Sequence, residues 1–297
     1  MTLIVRVVDV CRLGGIVIRQ IDVSLIKKVI SDLCIEANCH LGEDVVCLLR
    51  EAAQRESSTV GKEILGQIIE NAEIADNEEI PMCQDTGFAV IFMDIGQEVM
   101  ITGGNLEEAV NEGVREGYKR GYLRKSMVKD PLNRTNTGDN TPAITHLQVV
   151  AGDKIRITVA PKGGGSENMS ALKMLKPAEG EEGVRRFVIE TVKDAGPNPC
   201  PPVVIGVGVG GTMEKAATMA KHALIREIGK DSDDHQAARL ERDLLGAINR
   251  LGIGPQGLGG KVTALAVHVE KYPTHIACLP VAVNISCHAY RHKTALI

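Results

Sequence analysis

Three cysteines of this chain stand in loops beside groups able to do chemistry with them: Cys83 in "PMCQDTG", Cys200 in "PNPCPP" and Cys287 in "NISCHAYRH". Gln84 and Asp85 follow the first, prolines fix φ around the second, and His288, Arg291 and His292 follow the third. Soft sulfur donors accompanied by an acid, an amide and basic groups suit metal ligation or thiol nucleophilicity. A nucleophile needs a neighbouring base or cation to lower its pKa, and a carboxylate such as Asp85 works the other way. The metal reading therefore makes better use of the neighbours. The wide separations (83 to 200, 200 to 287) match no zinc-finger, ribbon or ferredoxin spacing, so spacing alone does not name a metal. Three thiolates satisfy three irons of a cubane and leave a fourth open as a Lewis acid for a hydroxyl and a carboxylate. A cluster closed by four cysteines only passes electrons.

The other five cysteines read differently. Cys34, Cys39 and Cys47 fall in helical patterns, and Cys11 and Cys278 in apolar, strand-like runs, where a free cysteine is a small buried hydrophobe. Three glycine-rich stretches, "KGGGSEN", "GVGVGG" and "GPQGLGG", offer uncovered amides for an anion or merely tight turns. Gly206, Gly208 and Gly211 also satisfy G-x-G-x-x-G between a strand and a helix, but the chain then runs into "REIGKDSDDHQ" rather than a second strand ending in an acid.

Composition closes several routes. With 34 basic and 38 acidic residues the net charge is -4, so no basic field gathers phosphate backbones, and 2% aromatics leave no base-stacking platform. No nucleic-acid partner is expected. No apolar run approaches the ~20 residues of a membrane span, and the first twenty residues lack an export signal. The expected compartment is the cytoplasm, where eight cysteines are free thiols or ligands rather than a disulfide framework.

The elements that must position these groups follow from periodicity. From Asp22 to about Asp76, apolar residues recur at three and four positions without a proline, which predicts three helices forming an N-terminal helical lobe. "FAVIFMDIGQEVMI" reads as two strands around a turn, and Asn105 with Glu108 as the N-cap of a helix to about Tyr122. "HLQVVAGDKIRITVAP" reads as a hairpin, "EEGVRRFVIETVKDAG" as a helix ending at Gly196, and "PVVIGVGVGG" as a strand feeding another helix. The last segment is strand-rich, and Pro273 and Pro280 predict short or edge strands there. The fold class is α/β (mixed α+β): the helical lobe packed on an intertwined lobe of short mixed sheets and helices. Residues 1–21 stand apart as an extension of unknown role, and 22–297 form the domain.

Taken together and in order, "PMCQDTG", "KGGGSEN", "PPVVIGVGVGG", "GPQGLGG" and "NISCHAYRH" resemble the class I, iron-sulfur-dependent fumarate hydratases and the related L-tartrate dehydratases, from about Asp22 onward. The chain stops soon after "CHAYRH", so it is similar to the separate α subunit of the split form. The resemblance implies that Cys83, Cys200 and Cys287 ligate a 4Fe-4S cluster with one iron not held by cysteine. It implies that Gln84 and Asp85 face the substrate, Asp85 taking part in proton transfer, that Arg124 pairs with a carboxylate, and that backbone at Gly164 and the His275 side chain belong to the site. The implied reaction is reversible hydration of fumarate to L-malate, a tricarboxylic acid cycle step, with tartrate or another hydroxy diacid as the alternative. A β subunit carrying the C-terminal domain, and pairing of α subunits as α2β2, are implied partners. Two rivals of other classes are a nucleotide-binding module using the Gly206–Gly211 loop and a non-catalytic scaffold with incidental thiols.

Overall fold

The computed structural model describes residues 10–13 and 16–297. The burial expected of Cys11, and any role of residues 1–9, lie outside what is described. In chain order the elements are β1 (Val10–Leu13), β2 (Ile16–Asp22), α1 (Val23–Cys39), α2 (Glu43–Arg55), α3 (Thr59–Glu78), β3 (Phe88–Gly96), β4 (Val99–Thr102), α4 (Leu106–Arg120), β5 (Ile144–Val150), β6 (Ile155–Lys162), α5 (Gly164–Glu167), β7 (Ala171–Leu175), α6 (Gly180–Ala195), β8 (Val203–Gly210), α7 (Met213–His222), α8 (His235–Asn249), β9 (Ala264–Tyr272), β10 (Leu279–Ser286) and β11 (Lys293–Leu296). The fold is mixed α/β. No helix among the described residues is long and apolar enough to cross a membrane.

The chain divides into two compact units. One holds the described residues up to His40, Ala75–Gly163 and Arg291–Ile297; the other holds Leu41–Ile74 and Gly164–Tyr290. The three predicted helices are present, but they do not form a lobe of their own. Each helix joins the sheet that covers its apolar stripe. In the first unit Ile26, Ile30 and Leu33 of α1 share a core with Val110 and Val114 of α4 and with Ile91 and Ile157 of β3 and β6. In the second, Val45, Leu49 and Ala52 of α2 pack with Leu65 and Ile68 of α3 and Val204 and Ala266 of β8 and β9. Side-chain caps mark the helix starts: Asp22 accepts from the Ser24 amide at 2.8 Å, and Asn105 from the Glu108 amide at 3.0 Å.

The first unit's four-stranded sheet runs β11-β6-β3-β5. The predicted hairpin is thus corrected: β5 and β6 do not pair, because β3 lies between them, parallel to β5 and antiparallel to β6. The turn after β3 takes up the carbonyls of the connecting loop, with Gly96 N donating to Lys154 O at 2.8 Å, Gln97 N to Val150 O at 2.8 Å and Glu98 N to Gly152 O at 3.0 Å. Within the segment set apart at the N-terminus, β2 pairs with β4 and puts Ile21 into the core at 1% exposure.

The second unit's sheet runs β7-β10-β8-β9. Alternate residues of β8 face opposite layers. Val203, Ile205 and Val207 meet Val188 of α6 and Leu244 of α8, whereas Val204 meets α2 and α3. A strand buried on both faces reads as a continuous apolar run. The proline expectation is corrected for β10, an eight-residue strand between β7 and β8. Pro280 is tolerated because it pairs only with Met174 of β7; pairing with β8 starts one residue later, at Val281.

Candidate active site

The segment Cys83–Gly87 is a turn of the first unit with every main-chain carbonyl from Asp85 to Gly87 held by a buried side chain. Arg291 Nη2 donates to Asp85 O at 2.5 Å, Tyr118 Oη shares its one proton between Thr86 O and Gly87 O, 2.9 Å from each, and Asn140 Nδ2 donates to Gly87 O at 3.2 Å. The Met82 amide anchors the turn's start on Asn38 O at 3.0 Å. Gly87, at φ 71, takes the left-handed conformation that closes the turn, and its amide donates to Asp85 Oδ1 at 2.9 Å. On this base Gln84 is exposed, and Cys83 and Asp85 are half-buried. The Cys83 thiol donates to Gln84 Oε1 at 3.4 Å. Cys83, Gln84 and Asp85 are therefore brought together on one braced turn. Thr86 Oγ1 also donates to Arg124 O at 3.0 Å, which ties the Arg124 loop to the same turn while the Arg124 side chain is exposed.

Cys200 and Cys287 belong to the second unit. The Cys200 thiol is exposed, and its backbone holds φ 55, a left-handed conformation that costs a residue with a Cβ about 1 kcal/mol. His288 Nδ1 lies 3.0 Å from Cys200 O and 3.1 Å from Gln256 Nε2. A proton on Nδ1 serves the carbonyl. Gln256, from "GPQGLGG", donates its amide N and Nε2 to Pro201 O at 2.8 and 3.0 Å. One network thus links the Cys200 loop, the third glycine-rich stretch and the residue following Cys287. Cys287 is half-buried, 3.9 Å from Ala289 O.

Gly164 opens α5, a single turn whose Glu167 carboxylate is held by Lys221 Nζ at 2.7 Å and Asn284 Nδ2 at 2.9 Å. His275 is exposed in the loop between β9 and β10, its Nδ1 accepting from Ala277 N at 3.2 Å, so it is no core histidine. The structure places Arg124 beside the Cys83 turn; Gly164, at the start of α5, and His275, in the β9–β10 loop, stand on separate segments of the second unit.

The nucleotide reading of Gly206–Gly211 is overturned. Gly206 and Gly208 lie inside β8, not in a loop, and a Cβ on them would stand 2.0 Å from Ala220 O and 2.1 Å from Ala216 O of α7. They let a helix approach a strand, and leave no space there for a pyrophosphate.

Of the cysteines expected to be buried, two are, and Cys47 and Cys278 depart from that expectation. Cys34 and Cys39 are buried, and burial pushes the Cys34 thiol up to about 12, far from the thiolate a metal needs. Cys47 is exposed, contrary to expectation: it lies off the Val45–Leu49–Ala52 stripe of α2. Cys278 is half-buried just ahead of β10. Within either unit, no three His, Cys, Asp or Glu side chains among the described residues are arranged to hold a metal ion. Cys83, Cys200 and Cys287 are in no disulfide and are open in part to solvent, and two of them lie on loops joined by one network. That donor set fits a cluster bound by cysteines in chemistry, unlike the sealed thiols.

Sequence reasoning missed Tyr118, Asn140 and Gln256, and read Arg291 only as a companion of Cys287. It also missed Glu56, 2% exposed, whose carboxylate accepts from the amides of Ser57, Ser58, Lys261 and Val262 at 2.7 to 2.9 Å and pins the far end of "GPQGLGG". Burial opposes its charge, but the four amides outweigh that and hold its pKa below the usual range.

The sequence profile of the family described as Fumarate hydratase (Fumerase) matches residues 27–296. A chain of Methanocaldococcus jannaschii named "Putative L(+)-tartrate dehydratase subunit alpha" is 45% identical over 272 residues, 90% of this chain and 95% of its own. The L(+)-tartrate dehydratase subunit alpha chains of Escherichia coli O157:H7 and of strain K12 are each 34% identical over 283 residues, 94% of this chain and 93% of theirs.

Proposed function

This chain belongs to the fumarate hydratase (Fumerase) family, and on that premise we propose that it is the α subunit of a 4Fe-4S hydro-lyase interconverting L-malate and fumarate. The family is one of hydro-lyases, and the relatives it matches are α subunits by name. The proposal adds a separate β subunit, α2β2 assembly, cytoplasmic location and the substrate.

The observation that carries the reading is the Cys83–Gly87 turn: a ligand-type thiol, an exposed amide and a carboxylate on three successive residues, with the next carbonyls pinned from three directions. Dehydrating a 2-hydroxy diacid removes a weakly acidic proton beside a carboxylate and expels hydroxide. Cys83, Cys200 and Cys287 are the residues that would hold the cluster. When bound, it supplies an open iron as a Lewis acid for the leaving hydroxyl. Asp85 holds or moves the proton, and Gln84 orients the substrate beside it. The Arg124 guanidinium pairs with one carboxylate, and main-chain amides at Gly164 receive the other. His275 completes the set as a polar contact from its exposed loop. A rigid turn suits this work, because a misplacement of 1 Å costs about 10²-fold in rate.

A second reading, L(+)-tartrate as substrate, is favoured by the names of the relatives. Steady-state assay of the anaerobically assembled α and β chains against fumarate, L-malate and both tartrates tests the proposal. Turnover of fumarate and L-malate is expected. Turnover of tartrate alone selects the second reading, and full activity of the α chain without its partner contradicts the split-enzyme account.

A further inference from the structure

We propose that Arg291 is a positioning residue, whose buried guanidinium fixes the main chain of Asp85 and so the aim of Gln84 and Asp85; this rests on the hydro-lyase reading above. Three side chains hold the three consecutive carbonyls of the turn, and two of them, Tyr118 and Asn140, do so with neutral donors. Only the Asp85 carbonyl, next to the residues with chemistry, takes a charged donor.

That choice is expensive for folding. Arg291 is 5% exposed, and its two hydrogen-bond acceptors, Asp85 O and Asn38 Oδ1, are both neutral. Its Nε is buried without an acceptor. Among the described residues no carboxylate makes an ion pair with it, and a buried guanidinium so placed loses hydration that a neutral donor would not have lost. A fold needing only a brace for a carbonyl has cheaper solutions two residues away. The charged bond is also short, at 2.5 Å, and the planar fork spans Asn38 of α1 and Asp85 at once, which a single-point donor does not do. The neighbouring Gly163 fits the same purpose: a Cβ there would stand 3.1 Å from Asp85 Oδ2 and 3.8 Å from Arg291 Nη2, so the missing side chain keeps the space beside both groups clear.

The experiment compares wild type, Arg291→Met and Arg291→Lys in the assembled α and β complex, using fumarate, L-malate and tartrate as probes. Amide exchange of the cluster-free α chain is followed in parallel. In R291M, kcat is expected to fall about 10²-fold with KM within about threefold, and R291K to recover about tenfold of the loss. The Gly87 amide, which donates to Asp85 Oδ1, is expected to exchange about tenfold faster while the β3 amides stay protected. If R291M does not fold, R291K alone is expected to show a roughly tenfold kcat deficit, because an ammonium cannot bridge both acceptors. A wild-type complex that works beside variants with kcat within about threefold overturns the inference, as does faster exchange spread evenly over α1 and β3. A wild-type complex inactive on all probes contradicts the hydro-lyase reading instead; Gly87 exchange then decides the positioning role, and an unchanged rate overturns it.

Discussion

The ring of His288 lies against the main chain of Cys200: Nδ1 stands 3.0 Å from the Cys200 carbonyl, so the residue after Cys287 clasps the loop of the second unit's other candidate ligand. Removing the ring in His288→Ala takes away the side-chain donor to that carbonyl and leaves it only the longer bond from the His288 amide, at 3.4 Å. The expected result is a loss of about 1 kcal/mol of stability in the cluster-free chain and about tenfold weaker iron retention against a chelator. Thermal unfolding and chelator competition measure the two separately.

Cys200 itself is held at φ 55, where glycine is at ease and a residue with a Cβ is not. A position kept in an unfavourable conformation by a thiol points to a use for the thiol. Cluster-free Cys200→Gly is expected to be about 1 kcal/mol more stable than Cys200→Ala in denaturant titration, with both unable to retain iron.

Glu56 makes the second unit sensitive to acid. Its folded pKa is lowered, so its contribution is complete above its unfolded value of about 4.3 and fades as the pH falls through the folded value. Glu56→Gln turns one oxygen into a donor facing amide donors, and about 3 kcal/mol of stability is expected to go at pH 7. Melting temperatures from pH 7 to pH 3 should converge for wild type and E56Q at the acid end. Parallel curves over that range would show that the carboxylate's charge is not what binds the loop.

A methyl group at Gly206 meets Ala220 O at 2.0 Å. Gly206→Ala is expected to cost about 3 kcal/mol by forcing α7 off β8, with no nucleotide binding to lose in either protein. Thermal unfolding and nucleotide titration check both halves.

Local patterns carried much of this fold. Asp22 and Asn105 announce their helices because a short polar side chain and the amides it caps are close in sequence. Strand pairing is not local: "AGDK" reverses the chain equally well whether its two strands pair or leave room for β3, and only the β3 turn's hydrogen bonds decide. The same holds for the site. The Cys83 turn is legible because Cys83, Gln84 and Asp85 are consecutive and Gly87 follows one residue later. Its braces come from α4, from Asn140 and from Arg291, which stands 206 residues after Asp85, and nothing near them in sequence marks them as donors to that turn. Cys47 was legible in principle, since it falls two residues along from Val45 and off the stripe that Leu49 continues.

Iron and acid-labile sulfide content, measured cysteine by cysteine after anaerobic reconstitution with the partner subunit, tests the central claim most directly. The account predicts about four irons and four sulfides per chain in wild type and in Cys34→Ser, and loss of the cluster in Cys83→Ser, Cys200→Ser and Cys287→Ser. Iron near zero in the reconstituted wild type, or undiminished in any of those three variants, would contradict it.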